Sequence, residues 1–307
     1  MLDIALVGTG GMMPMSNRHL SSALLRFEGR MVLIDCGEGT QVSARQVGWG
    51  FKTIDAICLT HFHADHVTGL PGLLLTIGHA GRDEELTIYG PIGVERIVRS
   101  LCVVAPEIPF PVRFVEIPND GIKDAIQIPY TNFYLRAHPL SHGCVCFGFR
   151  LDIKRKGRFD ADAAKGLGLP VQMWGKLQRG ESVKHEGAVI TPDAVMGDAR
   201  RGLSVSYATD TRPPKGLAGF IQGSDLFICE GQYGDEELLP KARAYKHMIF
   251  SEAATIAKQG DVKEMWLTHF SPSLQNPKDY IKNARKIFQN THVGYDRMTA
   301  TLSFDED

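Results

Sequence analysis

Thr60-His-Phe-His-Ala-Asp-His-Val-Thr-Gly69 follows the aliphatic run 56–59, and its reading decides the fold. Histidine supplies 11 of the 307 residues, so three within six positions beside an aspartate is a concentration that calls for a chemical reason. On an extended segment alternate side chains point to one side, which brings the imidazoles of His61 and His63 together. Asp65 and His66, in the turn leading into a helix, face a neighbouring point. Neutral imidazole and carboxylate suit borderline-soft divalent metals such as zinc. Four donors in so short a stretch cannot close two metal sites, so further donors are expected from elsewhere. Three candidates each follow an apolar run and precede a turn: His142 after Pro139-Leu-Ser, Asp210 after Tyr207-Ala-Thr, and His269 after Trp266-Leu-Thr. Singly, each reads as an ordinary structural residue. Joined to the cluster, each reads as a ligand delivered by a strand end to a common rim.

Outward from this motif, short β-branched or aliphatic runs recur between turn signals at 4–7, 23–27, 31–34, 56–59, 86–89 and 112–117, and again at 133–137, 203–208, 226–229 and 264–267. These predict strands. Helices are predicted over 70–79, 92–103, 251–258 and 277–288, the second opened by Pro91. Two β-rich halves, each carrying helices, imply an α/β architecture of two sheets packed face to face with helices outside.

The composition fits one large domain over 1–307. Hydrophobic residues make up 43% and charged residues 22%, enough for a sizeable core and too apolar for a disordered chain. Lys plus Arg number 34 against 35 Asp plus Glu, so no global charge marks a nucleic-acid binder, and any RNA contact must come from local basic patches. The N-terminus has no basic leader or cleavage site, and no apolar run reaches the ~20 residues of a membrane span, so a cytoplasmic protein is expected. Six cysteines without Cys-x-x-Cys spacing predict reduced, mostly buried thiols.

The segment 152–187 stands apart. Apolar periodicity weakens, glycine is frequent, and eight Lys or Arg (Lys154, Arg155, Lys156, Arg158, Lys165, Lys176, Arg179, Lys184) face five acids. A departure of this length inside a compact domain reads as a functional protrusion or lid more than as a plain connector, with a solvated loop that happens to be basic as the alternative.

With these residues in place, His61, His63, Asp65 and His66 resemble the His-x-His-x-Asp-His signature of the metallo-β-lactamase superfamily. Over nearly its full length the chain looks like the ribonuclease Z family, through Leu6-Val-Gly-Thr-Gly-Gly11, Leu33-Ile-Asp-Cys-Gly-Glu-Gly-Thr-Gln41, Gly69-Leu-Pro-Gly72, Ser141-His-Gly143, Thr209-Asp-Thr-Arg212 and Leu267-Thr-His269. The string Asp35-Cys-Gly-Glu-Gly-Thr-Gln41 is far more specific to that family than the metal motif. The resemblance implies a four-layer αβ/βα sandwich with an inserted arm. It also implies an endoribonuclease that removes the 3′ trailer from precursor tRNA, leaving a 3′-hydroxyl on the tRNA and a 5′-phosphate on the trailer.

Carried over residue by residue, the resemblance implies two Zn2+ per subunit: one held by His61, His63 and His142, the other by Asp65, His66 and His269, with Asp210 bridging. Asp65 would also serve as the base, and Asp35 would support the metal-binding loop. Glu230 and His247 stand where the family has a Glu in a His-Glu-Ala-Thr-like motif and a proton-donating His in a His-Ser-Thr-like motif, though here they lie in Cys229-Glu-Gly and Lys246-His-Met-Ile. The loop 12–19 resembles a phosphate-proximal loop through Pro14, Arg18 and the following Ser21. The arm aligns with the family's tRNA-gripping element, which implies substrate contacts from Lys154, Arg155, Lys156, Arg158, Lys176 and Arg179 and a homodimer with the arm acting in trans. Leu169-Pro-Val-Gln-Met-Trp-Gly-Lys176 replaces the Pro-Pro-Gly-Pro-like turn common there. Two other readings stand beside this one: a related hydrolase of small phosphodiesters, sulfate esters or thioesters, and a non-catalytic RNA-binding scaffold.

Overall fold

Many strands in this chain are apolar on both faces, and a strand of that kind needs cover on each side. The computed structural model describes residues 1–105 and 107–305. In chain order the strands are β1 (Leu2–Gly8), β2 (Ser22–Phe27), β3 (Arg30–Ile34), β4 (Ile54–Cys58), β5 (Leu86–Pro91), β6 (Val112–Ile117), β7 (Ile122–Gln127), β8 (Phe133–Pro139), β9 (Phe147–Arg155), β10 (Val183–His185), β11 (Ala188–Ile190), β12 (Arg200–Ala208), β13 (Leu226–Glu230), β14 (Met265–Thr268), β15 (Thr291–Val293) and β16 (Thr299–Leu302). They form two seven-stranded sheets, ordered β16-β1-β2-β3-β4-β5-β6 and β15-β14-β13-β12-β9-β8-β7, and a small ribbon β10-β11. In the first sheet β3 to β6 are parallel, and in the second β12 to β15 are parallel.

One face of the first sheet, with Val7, Leu24, Leu33, Ile57 and Ile88, packs under the helices Leu70–His79 and Val94–Leu101 through Leu70, Leu73, Leu74, Ile77, Val94 and Val98. The second sheet buries Phe227, Cys229, Met265 and Leu267 under the helix Phe250–Gln259. The remaining strand faces, with Leu6, Leu25, Phe149, Tyr207 and Trp266 buried, fill the middle, where the rings of Phe27 and Phe133 meet edge to face at 6.5 Å. The result is the helix–sheet–sheet–helix sandwich expected from the sequence.

Several boundaries differ from that reading. β7 escaped it because five of its six residues are exposed and three of them, Lys123, Asp124 and Gln127, are polar. β9 carries the alternation Phe147, Phe149, Leu151, Ile153 into the stretch expected to protrude. Pro91 closes β5, and the next helix starts at Val94 behind a left-handed Gly93. The span 277–288 divides into a 3₁₀ turn, Pro277–Tyr280, and a short helix, Ile281–Arg285.

The chain separates into two compact units, Met1–Ile153 with Leu203–Ser303, and Lys154–Gly202 with Phe304 and Asp305. The second unit therefore runs past 187. It has its own small core of Ala164, Leu169, Leu177, Val183 and Val195, and without residues 188–199 that core would lose Val195 and the strand that pairs with β10. Asp160 caps the helix Ala161–Gly166 by accepting N–H bonds from Asp162 and Ala163. Pro170 leads directly into the helix Val171–Arg179, so Val171 to Lys176 form helix where the resembling family has a turn. Among the described residues no helix is long and apolar enough to cross a membrane.

Candidate metal and catalytic site

Several of the functional side chains leave the carboxyl ends of strands, where parallel α/β sheets present their loops. Asp35 follows β3, His61 follows β4, Asp210 follows β12, Glu230 ends β13 and His269 follows β14, while His142 sits in the loop between β8 and β9. Asp35, Asp210 and His269 adopt left-handed backbone conformations with φ of 56°, 53° and 58°. Asp and His tolerate that region better than most residues, and the turn it creates aims each side chain sideways from its strand end. His63 precedes the one-turn helix Ala64–Val67 that carries Asp65 and His66.

These segments converge. His63 Nδ1 lies 3.3 Å from His142 Nε2, and the His61 ring centroid lies 4.5 Å from that of His63 and 5.3 Å from that of His142. His66 Nε2 lies 3.3 Å from His269 Nε2, and the two nitrogens are 3.6 and 3.5 Å from Asp65 Oδ2. Asp210 stands between the groups. Its Oδ2 is 3.8 Å from His61 Nε2 and 3.7 Å from His142 Nε2, and its Oδ1 is 3.1 Å from both His66 and His269.

The donors fit a divalent cation on their own chemistry. His61 Nε2 and Asp210 Oδ1 are buried without a hydrogen-bond partner, an unfavourable condition unless something electropositive meets them. Four of the five imidazoles are engaged at their other nitrogen, which leaves the inward nitrogen free to ligate. His66 Nδ1 meets Asp35 Oδ2 at 2.8 Å, His61 Nδ1 meets Thr60 Oγ1 at 3.0 Å, His63 Nε2 meets Cys144 Sγ at 3.8 Å, and His142 Nδ1 meets the Lys246 carbonyl at 3.3 Å. Asp35 is itself gripped by the Thr60 N–H and hydroxyl at 2.8 and 3.0 Å.

Electrostatics follow from this crowding. Burial pushes the Asp35 carboxyl up. Burial opposes ionisation of Asp65 and Asp210 too, but the imidazoles of His269 and His66 outweigh it and hold both below the ordinary carboxylate range. Asp65 Oδ2 also accepts the Met12 N–H at 2.7 Å.

Glu230 and His247 form a second pair beside the donors. Glu230 is fully buried, accepts the N–H groups of Thr211 and Met248, and lies 3.3 Å from His247 Nδ1. Burial disfavours the imidazolium, yet the Glu230 carboxylate more than compensates and pushes the His247 pKa up to about 9. The His247 ring lies 5.3 Å from that of His142 and 5.5 Å from that of His269, so a proton held there is next to the metal donors. His247, Asp65, Asp210 and His269 line a cleft of about 520 Å³ together with Gln232, Lys241 and Tyr245.

In the early loop, Met12 and Met13 line the same cleft. Arg18 is 7% exposed and spends its guanidinium on the carbonyls of Ser271 and Leu274 at 3.4 and 3.3 Å, while Ser21 bonds the Gly10 carbonyl at 2.9 Å. Both brace the loop. Pro14 lines a separate surface hollow with His19 and Gly39. In the arm, Lys154, Lys156, Arg158, Lys176 and Arg179 are exposed and Arg155 is partly so. Lys156 bonds the Arg179 carbonyl, Arg179 pairs with Glu181, and Arg155 lies over the Phe304 ring. All six cysteines are free, with Cys144 alone exposed. Gln232, Lys241 and Tyr245 were not singled out from the sequence, since nothing local marks them.

The chain is similar to several known proteins. A family model described as "Anti-Pycsar protein Apyc1" matches residues 2–100, the stretch that includes the histidine cluster. The chain is 49% identical to the ribonuclease Z of Lachnospira eligens and 48% identical to that of Clostridium acetobutylicum, each alignment covering 100% of both chains. Among solved structures it resembles the short form of human tRNase Z, with a TM-score of 0.69 and 23% identity over 98% of this chain and 100% of the other. The metallo-β-lactamase fold protein YhfI from Bacillus subtilis gives the same TM-score at 17% identity, again over 98% and 100%. At those identities the structural matches speak for the fold.

Proposed function

This chain belongs to the ribonuclease Z family, and on that premise we propose that it trims the 3′ end of precursor tRNA as an endoribonuclease using two zinc ions per subunit. The observation that carries the reading is Asp210, whose two oxygens face two different trios of donors. His61, His63 and His142 would hold one ion, Asp65, His66 and His269 the other, and Asp210 would touch both. When bound, such a pair of cations supplies an activated water at neutral pH and offsets negative charge on the phosphoryl group.

The protein's own groups do the rest. Asp65, ionised and fixed by the Met12 N–H, orients the nucleophile and takes its proton. His247, charged at neutral pH and held by Glu230, donates a proton to the departing 3′ oxygen. The tRNA then ends in a 3′-hydroxyl and the trailer begins with a 5′-phosphate. Lys154, Arg155, Lys156, Arg158, Lys176 and Arg179 contact tRNA phosphates from the arm, which acts in trans across a homodimer. Six unpaired cysteines fit a reducing compartment, the cytoplasm.

The decisive assay uses one 3′-extended precursor tRNA, read for cut position and end chemistry, with metal analysis of the purified protein. Cleavage at the 3′ end with two equivalents of zinc supports the reading. Faster turnover of a small chromogenic phosphodiester than of the precursor, unchanged when the arm is shortened, points to a small-molecule hydrolase instead. An active monomer in sedimentation would remove the trans arrangement.

A further inference from the structure

Gln232 lies two residues beyond Glu230, in the loop that leaves β13. Its backbone neighbourhood is fixed, since its carbonyl accepts the Ser271 N–H at 3.1 Å and the Gly231 N–H bonds the Thr268 carbonyl at 2.8 Å. The side chain is 1% exposed and lines the catalytic cleft alongside Asp65, His247 and His269. Both its amide nitrogen and its amide oxygen are buried without a hydrogen-bond partner, and among the described residues no other side chain has two such atoms. The Tyr233 hydroxyl feels the amide, at a geometry short of a hydrogen bond. Gly11 packs close against the amide, with no room for a side chain: a Cβ there would stand 2.9 Å from Gln232 Oε1 and 2.6 Å from His269 Cε1.

An amide buried with donor and acceptor both unmet is a substantial penalty, and active sites retain such groups where a ligand meets them. The ligand must offer an acceptor and a donor together. A phosphate offers acceptors only and would leave Oε1 unmet. A hydroxyl offers both from one atom. A base edge also offers both, but it lies across the sugar from the reacting phosphate, whereas Gln232 shares its loop with the carboxylate that holds His247. We propose that Gln232 reads the ribose 2′-hydroxyl of the nucleotide whose 3′ oxygen departs, one carbon away from the oxygen that receives the proton. This assignment makes Gln232 the residue that distinguishes RNA from DNA at the cut, and it rests on the ribonuclease reading above.

The test pairs a substrate change with a protein change. A precursor tRNA carrying a single 2′-deoxy nucleotide immediately 5′ of the cut should be cleaved by the wild type roughly ten- to hundredfold more slowly than the all-ribose precursor. Gln232→Met keeps the volume and removes both polar atoms. It should lose a similar factor on the all-ribose precursor and discriminate between the two substrates by less than about threefold. Metal content should be unchanged, and the melting temperature should hold or rise, because an unpaired amide has been replaced by an apolar group. A purely structural role would lower the melting temperature and leave discrimination intact. Moving the deoxy position one nucleotide 3′ should have no such effect. The assignment is overturned if Gln232→Met still discriminates as the wild type does, if the wild type is indifferent to the deoxy substitution, or if changing the base matters in its place. Failure of the wild type to cut the all-ribose precursor sinks the ribonuclease reading and this assignment with it; cutting without discrimination sinks this assignment alone.

Discussion

The two trios that share Asp210 differ in what stands behind them. His61, His63 and His142 form the outer group, in which His63 is exposed and His142 partly so. Their second nitrogens meet a threonine hydroxyl, a cysteine sulfur and a backbone carbonyl. Asp65, His66 and His269 are all buried, and His66 is backed by the fully buried carboxylate of Asp35, itself tied down by Thr60. A carboxylate behind an imidazole orients the ring and raises its basicity more than a thiol or carbonyl does. The two trios therefore differ in the groups behind their imidazoles as well as in the carboxylate that Asp65 adds to the buried one, and the buried trio is expected to keep its metal the longer under chelation.

The largest effect should come from the residue the trios have in common. Asp210→Ala removes a ligand atom from each side, and we expect both metal equivalents to be lost and cleavage to fall by on the order of 10⁴-fold. If metal analysis still found one tightly bound equivalent, the trios would be independent and Asp210 would not join them. Next comes His247, which adjoins one ring of each trio. His247→Ala should slow turnover by about 10²- to 10⁴-fold with two metal equivalents retained; a drop below about tenfold on a precursor with an ordinary leaving group would remove it as the proton donor.

Asp35→Asn sharpens the contrast between the trios directly. Asparagine accepts the left-handed backbone at this position, so the loop should survive while the charge behind His66 is lost. Metal titration should show one equivalent weakened by about 10- to 100-fold and the other little changed. Cys144→Ser should move the outer equivalent by threefold or less, a factor too small to matter in turnover. Smallest of all at physiological salt, and growing as salt is lowered, should be the loss of a single arm cation: Lys176→Ala should weaken precursor binding evenly across tRNAs and lower the salt slope by about one, as measured by binding titrations at several ionic strengths.

Much of this site was legible before folding. The three histidines and aspartate of 61–66 suggest a metal by type and spacing, and His142, Asp210 and His269, unremarkable singly, become candidates only when joined to that cluster. The main sandwich was readable for a similar reason, because strands buried on both faces are near-continuous apolar runs. β7 was not, since an edge strand with five exposed residues carries too little apolar signal. The extent of the arm was missed because its core of five buried side chains is too small to impose a clear period on 49 residues of chain. The role of Arg18 was not legible, because a cation near a phosphate site and a cation capping two carbonyls look the same in sequence.

What the residues alone determined is the kind of chemistry: which atoms could hold a metal, where strands would end, and that donors would gather at one rim. Only the tertiary structure decided which donors face each other, as with His66 and His269, 203 positions apart in the chain and 3.3 Å apart at the site. The same holds for the nitrogens turned inward by Thr60, Asp35, Cys144 and Lys246, and for Gln232, a glutamine without local distinction until packing buried its amide beside the cleft. Residue type and period are local properties of the chain. Convergence is set by how two sheets pack, and that depends on every apolar side chain between them.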